Sequence, residues 1–464
     1  MYPVKKRISS ILIVFVILAL VAGLGVPEAT AKAPVPKNVI VMISDGMGFN
    51  HTLSTSYYSY GKPNGQIYAR FPFKMAASTY AAADIEFGPP TDPCLGWGYD
   101  PYTYWSNFSY ANLCYTDSAS AATAIATGVK TYNAAIGVDL YQQPVKNVVE
   151  AAEELGKSTG VITSVPISHA TPAGFVAHNV SRNDYVGLAM EMIHESAVDV
   201  IMGAGHPFYT DHGIFQETPI NFRYVGGEAT WDALLAGTAG GDANGDGIAD
   251  PWVFIQERAA FQSLASGPTP DRVIGVAQVY STLQQGRAGD GFADPFVVPL
   301  NPNVPTLVEM TQAALNILDD NPDGFLLMIE GGAVDWAAHA NQSGRMIEEQ
   351  IDFDAAVEAV VGWVKDNSNW GETLLIVTAD HETGYLTGPG SDPGWNPIVN
   401  NGKGNLPGME WHSPNHTNSL VPFFAKSADA RWFNKFAINF DPVHGKYIDN
   451  TDIANTIFRL LGTE

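Results

Sequence analysis

Short apolar runs rich in β-branched residues recur along the chain and predict the strands of a buried sheet. They occupy Lys37–Ile43, Gly160–Ser164, Asp199–Gly203, Phe325–Glu330 and Thr373–Asp380. Segments in which apolar residues have helical spacing lie between them, at Asn147–Leu155, Asp184–Ser196 and Gly344–Trp363. This alternation predicts an α/β fold with a mainly parallel central sheet and helices on both of its faces.

Three segments depart from this rhythm and predict loop-rich insertions into one domain, which we place at residues 32–464. The first, at about 53–113, is aromatic and rich in glycine and proline. The second, at about 208–305, contains several loops, and the third, at about 384–413, is rich in glycine. We therefore expect the strands and helices outside these segments to build the sheet.

The N-terminus has the pattern of a signal peptide, which we place at residues 1–31. A basic segment, Lys5–Arg7, precedes the apolar run Ile11–Val26 and the small residues Ala29–Ala31. The apolar run is short for a membrane span, and no cysteine follows it to carry a lipid. We expect a secreted or periplasmic protein without a stable membrane anchor after cleavage, and an uncleaved anchor is the alternative. In an exported chain, Cys94 and Cys114 are expected to form a disulfide, with two free thiols as the alternative.

The chain is strongly acidic, with 24 Lys and Arg against 48 Asp and Glu and a formal net charge of −24. Removal of residues 1–31, which hold three basic residues and one acidic residue, would change this charge to −26. Such a surface does not suit nucleic acid, because phosphate contacts need Lys and Arg. A site for a small anionic substrate would need its own concentrated positive charge, most simply from metal ions.

The stretch Tyr115–Gly128 predicts a helix with reactive groups in its first turn. Asp117 and Ser118 stand where the helix begins, small residues follow, and Gly128 ends it. The backbone N–H groups and the dipole at a helix N-terminus favour an anion, which suits a serine that acts on an anionic substrate. The alternative is that Asp117 and Ser118 only cap the helix.

Acidic residues stand at the ends of three predicted strands. Asp45 follows the first strand, and Glu330 and Asp380 end two others. In parallel sheets, polar residues at the carboxyl ends of strands line the ligand crevice. We therefore look for a site at this edge of the sheet.

Histidines accompany these acids. Asp335 and His339 are four residues apart, so one helical turn puts both on the same face, where they can share a cation. His381 follows Asp380 directly, and His416 lies beyond the third predicted insertion. Each of these residues taken alone is more often a structural hydrogen-bonding group, but together they predict a metal centre.

A separate loop in the second predicted insertion has the spacing of an EF-hand-like calcium loop. Asp242, Asn244, Asp246 and Asp250 place oxygen ligands at alternate positions around glycines. The acidic residue of the twelfth position is missing, because Val253 stands there. Calcium binding and a plain turn rich in Asp and Asn are both compatible with this pattern.

Seven motifs, in order along the chain, resemble those of the alkaline phosphatases. They are Ile43–Gly48, Thr116–Ser120, Thr127–Thr131, His169–Ala173, Glu330–Asp335, Thr378–Gly384 and His416–Thr417. The resemblance extends from Asn38 to the C-terminal helix, outside the predicted insertions. It implies hydrolysis of small phosphate monoesters at alkaline pH by a homodimeric enzyme.

The resemblance also implies roles for individual residues. Ser118 would be the nucleophile that becomes phosphorylated, and Arg182 would bind two phosphate oxygens. The metals implied are two zinc ions and one magnesium ion. The implied ligands are Asp335, His339 and His416 for one zinc, Asp45, Asp380 and His381 for the other, and Asp45, Thr171 and Glu330 for magnesium.

Three further residues are implied to lie beside these ligands. Asp117 is expected to cap its helix or to assist Arg182. His169 and Trp336 stand where some bacterial members of the family carry Asp and Lys, and such rings resemble those of animal and cold-marine enzymes. Because the neutral rings replace charged groups, we expect weaker magnesium binding and faster phosphate release.

Two other functions remain open. One is a phosphodiesterase or sulfatase of the same superfamily, although a sulfatase needs a Cys/Ser-x-Pro-x-Arg motif that Ser118-Ala119-Ser120-Ala121 lacks. A diesterase usually has a threonine nucleophile and lacks the equivalent of Arg182. The other is a non-catalytic secreted metal-binding protein, for which Ser118→Ala would leave every property intact.

Overall fold

The predicted strands lie side by side in the computed structural model, which describes residues 36–83, 94, 96–427 and 429–463. The strands are β1 (Asn38–Ser44), β2 (Phe73–Ser78), β3 (Ser158–Pro166), β4 (Val200–Ala204), β5 (Val253–Ile255), β6 (Val273–Val276), β7 (Phe325–Gly331), β8 (Thr373–Thr378), β9 (Glu382–Thr383), β10 (Leu386–Thr387), β11 (Glu410–Trp411), β12 (His416–Thr417), β13 (Val421–Lys426), β14 (Asn439–Asp441) and β15 (Gly445–Asp449). Eleven of these described strands form one sheet in the order β14-β15-β2-β13-β8-β1-β7-β3-β4-β6-β5.

The centre of this sheet is parallel. Val41 of β1 lies opposite Met328 of β7 on one side and Ile376 of β8 on the other. From β8 through β5 every neighbouring pair runs parallel, and antiparallel pairs occur where β13 and β14 join. The prediction of a mainly parallel sheet is confirmed.

Helices cover both faces of the sheet, as predicted. The α-helices are α1 (Phe49–Tyr60), α2 (Pro101–Ser106), α3 (Ser118–Thr127), α4 (Val148–Glu153), α5 (Ala170–Gly174), α6 (Tyr185–His194), α7 (Glu228–Leu235), α8 (Arg258–Leu264), α9 (Leu307–Leu318), α10 (Ala333–His339), α11 (Ser343–Asn367), α12 (Phe433–Phe436) and α13 (Thr451–Leu461). Alternate residues of β1 point into different cores, because successive side chains of a strand face opposite ways. Val39 and Val41 pack in the core that includes α3, α4, α6 and α13, whereas Ile40 and Met42 pack in the core that includes α8, α9 and α11.

The segments predicted as insertions contain more than loops. The first contributes β2, which pairs with β13 and β15 in the central sheet. The second contributes β5 and β6, and β6 continues the parallel sheet beside β4. The domain boundaries and the extent of the insertions therefore stay predictions, since parts of these segments belong to the sheet itself.

Cys94 and Cys114 form a disulfide, as predicted, with their Cα atoms 5.2 Å apart. The bond closes a segment of the first predicted insertion just before α3. The predicted signal peptide, residues 1–31, lies outside the described residues. In the part of the chain that is described, no helix has both the length and the apolarity needed to cross a membrane.

Candidate active site

The predicted helix with a reactive first turn is α3, which begins at Ser118. The Asp117 carboxylate accepts a hydrogen bond from the Ser120 backbone N–H at 3.0 Å and so caps the helix. Gly128 ends it in the left-handed conformation, with φ 75°. The buried Ser118 Oγ lies 3.2 Å from Nε2 of His381, a residue that belongs to a distant part of the chain.

The sheet register brings the strand-end acids together. Ile43 of β1 lies opposite Glu330 of β7 and Thr378 of β8, so Asp45, Glu330 and Asp380 meet at one edge. All three side chains are fully buried.

Several buried oxygens in this cluster have no hydrogen-bond partner. They are both carboxylate oxygens of Asp45, Oδ2 of Asp380, Oε1 of Glu330 and the Thr171 hydroxyl. Buried polar atoms in proteins normally have partners. Carboxylate and hydroxyl oxygens grouped in this way fit the preferences of a hard divalent cation.

The pKa values of the clustered carboxylates also favour a bound cation. Burial, followed by the charges of Asp380, Asp335 and Glu330, raises the pKa of Asp45 well above its usual value. Burial is also the main cause that raises the pKa of Asp380 to about 6 and that of Glu330 to about 7. Because like charges at close range disfavour ionisation, this cluster needs cations to stay fully ionised near neutral pH.

A second cluster forms around α10. One helical turn brings His339 Nε2 to 3.3 Å from Asp335 Oδ1, and His416 Nε2 lies 3.4 Å from the same oxygen. The two imidazole Nε2 atoms are 3.0 Å apart. Their Nδ1 atoms face backbone carbonyls, of Pro414 and Thr116 respectively. If each Nδ1 carries the proton, both Nε2 lone pairs point to one place, as they do in metal sites.

The carboxylate of Asp335 reaches both clusters. Asp45, Asp335 and His381 can offer ligand atoms within 4.8 Å of one another, and so can Asp335, His339 and His416. His381 Nε2 lies 3.5 Å from Asp45 Oδ1 and 3.2 Å from Asp380 Oδ2. The resemblance implies Asp335 for one zinc and Asp380 for the other, and the structure brings Asp335 within reach of both groups of ligand atoms.

Arg182 completes the site from the turn before α6. Its Nη1 donates a hydrogen bond to Asp117 Oδ2 at 2.9 Å, and its backbone N–H donates to the Ala134 carbonyl at 2.7 Å. Burial lowers the pKa of Arg182, but the neighbouring Asp117 carboxylate outweighs this effect and raises it. The arginine and the serine share a cavity of about 340 Å³ whose lining residues are Ser118, His169, Arg182, Asp335, Trp336, His339 and His416.

His169 and Trp336 lie on one wall of this cavity, with ring centroids 5.7 Å apart. Burial, followed by the positive charge of Arg182, lowers the pKa of His169 to about 3. Burial therefore favours the neutral form of this ring.

Two threonines that the sequence analysis did not single out hold ligand-type side chains in place. Thr383 Oγ1 donates to Asp335 Oδ1 at 2.5 Å, and Thr163 Oγ1 donates to Glu330 Oε2. Thr383 lies inside one of the seven motifs, and Thr163 is a buried polar residue of the central strand β3. Both features could have pointed to them.

The predicted calcium loop is closed by its own hydrogen bonds. Asp242 accepts from the backbone N–H groups of Gly245, Asp246 and Gly247. Asp250 accepts from the Ala243 and Asn244 backbones, and Asn244 accepts from Asp246. These contacts are those of a turn rich in Asp and Asn, and calcium binding stays a prediction.

A buried hydroxyl at a helix start, next to clustered carboxylates and imidazoles, is an arrangement that metal-dependent phosphoryl-transfer enzymes use. Comparison with known proteins is consistent with this class. The chain matches the family model of the alkaline phosphatases over residues 36–409. The protein therefore belongs to the alkaline phosphatase family and is a phosphatase.

Individual relatives and solved structures agree with this family assignment. The chain is 32% identical over 365 residues to alkaline phosphatase H of Pseudomonas aeruginosa (strain UCBPP-PA14). The aligned region covers 74% of this chain and 69% of that relative. It is 30% identical over 406 residues to alkaline phosphatase 4 of Bacillus subtilis (strain 168), with 84% and 73% covered. The structure of the alkaline phosphatase from the Antarctic bacterium TAB5 superposes with a TM-score of 0.60 at 25% identity, covering 93% of this chain and 99% of that one.

Proposed function

We propose that the protein hydrolyses phosphate monoesters to an alcohol and inorganic phosphate at alkaline pH, with Ser118 as the nucleophile. The observation that carries this proposal is the position of the Ser118 Oγ. It lies at a helix N-terminus, 3.2 Å from His381 Nε2, in a cavity that also contains Arg182. In the first step Ser118 Oγ loses its proton and bonds to phosphorus as the bond to the alcohol oxygen breaks, and the alcohol oxygen takes up a proton. In the second step water attacks the phosphoserine, which releases phosphate and restores the hydroxyl.

We assign the metal ligands as the family resemblance implies. Two zinc ions would take Asp335, His339 and His416, and Asp45, Asp380 and His381, while magnesium would take Asp45, Thr171 and Glu330. The buried oxygens without hydrogen-bond partners support this assignment. A related TAB5 enzyme variant has Mg bound in its M3 site, which supports magnesium as the third metal. Such ions supply Lewis acidity and positive charge that an acidic protein lacks otherwise.

Arg182 is assigned to the phosphoryl oxygens. Its planar guanidinium can donate two parallel, charge-assisted hydrogen bonds to a tetrahedral phosphate. Asp117 keeps the guanidinium in one orientation through the 2.9 Å hydrogen bond at Nη1. His169 and Trp336 give the cavity a neutral wall, which is expected to weaken magnesium binding and to speed product release.

The remaining assignments rest on the sequence. A secreted or periplasmic location rests on the pattern of residues 1–31, a homodimer rests on the family resemblance, and the absence of a nucleic-acid partner rests on the net charge of −24. Calcium in the loop at Asp242 is proposed as one of two alternatives for that loop.

The decisive experiment combines metal analysis with activity on the purified protein. We expect about two zinc ions per chain, loss of monoesterase activity on chelation and recovery with zinc plus magnesium. Ser118→Ala should abolish activity while it keeps the metal content. Faster hydrolysis of a bis-aryl diester than of an aryl monoester would favour the phosphodiesterase alternative, and full activity of Ser118→Ala would refute the proposed nucleophile.

A further inference from the structure

A second arginine lies close to the candidate active site, beyond one wall of its cavity. His169 lines that cavity and stacks on Tyr185, with ring centroids 6.4 Å apart. The Arg223 guanidinium packs on the same Tyr185 ring, 5.1 Å from its centroid. Arg223 begins a short 3-10 helix, Arg223–Val225, in the second predicted insertion. Two ring contacts therefore connect Arg223 to the cavity.

Aromatic rings hold this exposed arginine in one place. Its guanidinium lies 4.4 Å from the ring centroid of Tyr224, and Nη2 donates a hydrogen bond to the Tyr224 hydroxyl. Tyr224 is buried, and its ring packs against Tyr185 with centroids 5.0 Å apart. Cation–π contacts of this kind restrain the side chain. Less conformational freedom is then lost when the arginine binds a ligand.

The charge of Arg223 is not neutralised by a carboxylate. Among the residues that the structure describes, no Asp or Glu forms an ion pair with it, whereas Arg182 is paired with Asp117. A guanidinium has five N–H donors, so the bond to Tyr224 leaves most of them free. The chain has twice as many acidic as basic residues, so an arginine without a carboxylate partner is unusual in it. Beside a cavity proposed to bind phosphate, Arg223 can bind a second anionic group.

A purely structural role for Arg223 would be to brace Tyr185 and Tyr224. That role would affect every substrate in the same way, because it would act through the shape of the cavity wall. A role in binding would instead separate substrates by the charge of their alcohol part. The two roles therefore predict different outcomes for the same substitution.

We propose that Arg223 binds a second anionic group of the substrate. The preferred substrates are then phosphate monoesters whose alcohol part carries a further phosphate or carboxylate. Because Arg223 contacts the cavity-lining His169 only through the Tyr185 ring, we expect a spacer such as a sugar between this group and the scissile phosphoryl group. This inference rests on the proposed phosphomonoesterase function and names the substrate class of that same site.

A matched pair of esters tests the proposal. Glucose 6-phosphate and 6-phosphogluconate carry the same scissile group, but only the second has a carboxylate at the far end. We expect the ratio of kcat/KM for 6-phosphogluconate over glucose 6-phosphate to fall about fivefold in Arg223→Met, through KM, which is the size of an exposed ion pair. Arg223→Lys should recover part of the ratio. In wild type the ratio should fall in 1 M NaCl, because salt screens exposed charges.

Arg70→Met is the matched control, since Arg70 is an exposed arginine at the end of another 3-10 helix, Ile67–Arg70. It should leave the ratio unchanged. An Arg223→Met variant with the wild-type ratio, or with equal losses on both esters, would overturn the proposal while the phosphatase function stood. A wild-type protein that hydrolysed neither ester would overturn the proposed function and this inference together.

Discussion

Glu349 of α11 is a buried carboxylate, and we expect its burial to weaken the fold at alkaline pH. Its Oε1 atom has no hydrogen-bond partner. Burial, followed by the charges of Asp352 and Glu348, raises its pKa from 4.5 to about 8, and Arg287 offsets part of this rise. Between these two pKa values the folded chain keeps a proton that the unfolded chain has lost. Stability therefore falls as the pH rises from about 4.5 to about 8, and the loss is complete above that range.

The substitution Glu349→Gln removes this titration and keeps the side-chain shape. One pKa unit corresponds to about 1.36 kcal/mol. From the shift of 4.5 to about 8, we expect the variant to exceed wild type in free energy of unfolding by about 2 kcal/mol at pH 6 and about 5 kcal/mol at pH 9. If the amide itself changes the free energy of unfolding, that change is the same at pH 6 and pH 9. It therefore cancels when the gain at pH 6 is subtracted from the gain at pH 9.

The measurement is urea unfolding followed by tryptophan fluorescence, with both proteins saturated with metal in identical buffers. Metal binding then affects both proteins alike, and the comparison isolates the glutamate. The neighbouring Glu348→Gln is the control. Glu348 accepts a hydrogen bond from Arg287 Nη2 at 2.7 Å. Glu348→Gln should lower the free energy of unfolding by about 3 kcal/mol, because the buried Arg287 charge then loses its ionic partner. An equal gain for Glu349→Gln at pH 6 and pH 9 would refute the reasoning.

Four further outcomes are expected. Arg182→Lys should lower kcat/KM for an aryl monoester about 100-fold with unchanged metal content, because an ammonium cannot donate two parallel hydrogen bonds; loss of metal would point to a different role. Chelation should lower the melting temperature in calorimetry, since the clustered buried carboxylates then repel one another, and an unchanged melting temperature would contradict the ligand assignment. Replacing Cys94 and Cys114 by serine should cost about 3 kcal/mol in urea unfolding, as expected for a crosslink across 20 residues; no loss would show that the loop is held by other contacts. His169→Asp should bind magnesium more tightly, and Trp336→Lys should strengthen phosphate inhibition about tenfold, because each substitution introduces a charge. If metal analysis and inhibition kinetics show neither change, the neutral rings of His169 and Trp336 do not weaken magnesium binding or speed phosphate release.

The sequence was informative where structure is local. The central strands are recognisable because parallel strands are buried on both faces and read as continuous apolar runs, as β1 and β7 do. The α3 helix follows from its cap residue and its terminal glycine. By contrast, β2 has a mixed burial pattern at the antiparallel side of the sheet, so no apolar run marks it. This is why it was included in a predicted insertion.

The sequence by itself determined the α/β architecture and the residue types of the candidate site, whereas the structure decided that Cys94 and Cys114 are bonded. The spacing of Asp335 and His339 even places two of them on one helical turn. Only the tertiary structure decided that Asp335 reaches both clusters, that Thr383 fixes its carboxylate, and that Arg223 lies two ring contacts from the cavity. Local propensities act within one turn or strand, whereas these contacts depend on the register of parallel strands and on the packing of distant segments, which no short stretch of sequence encodes.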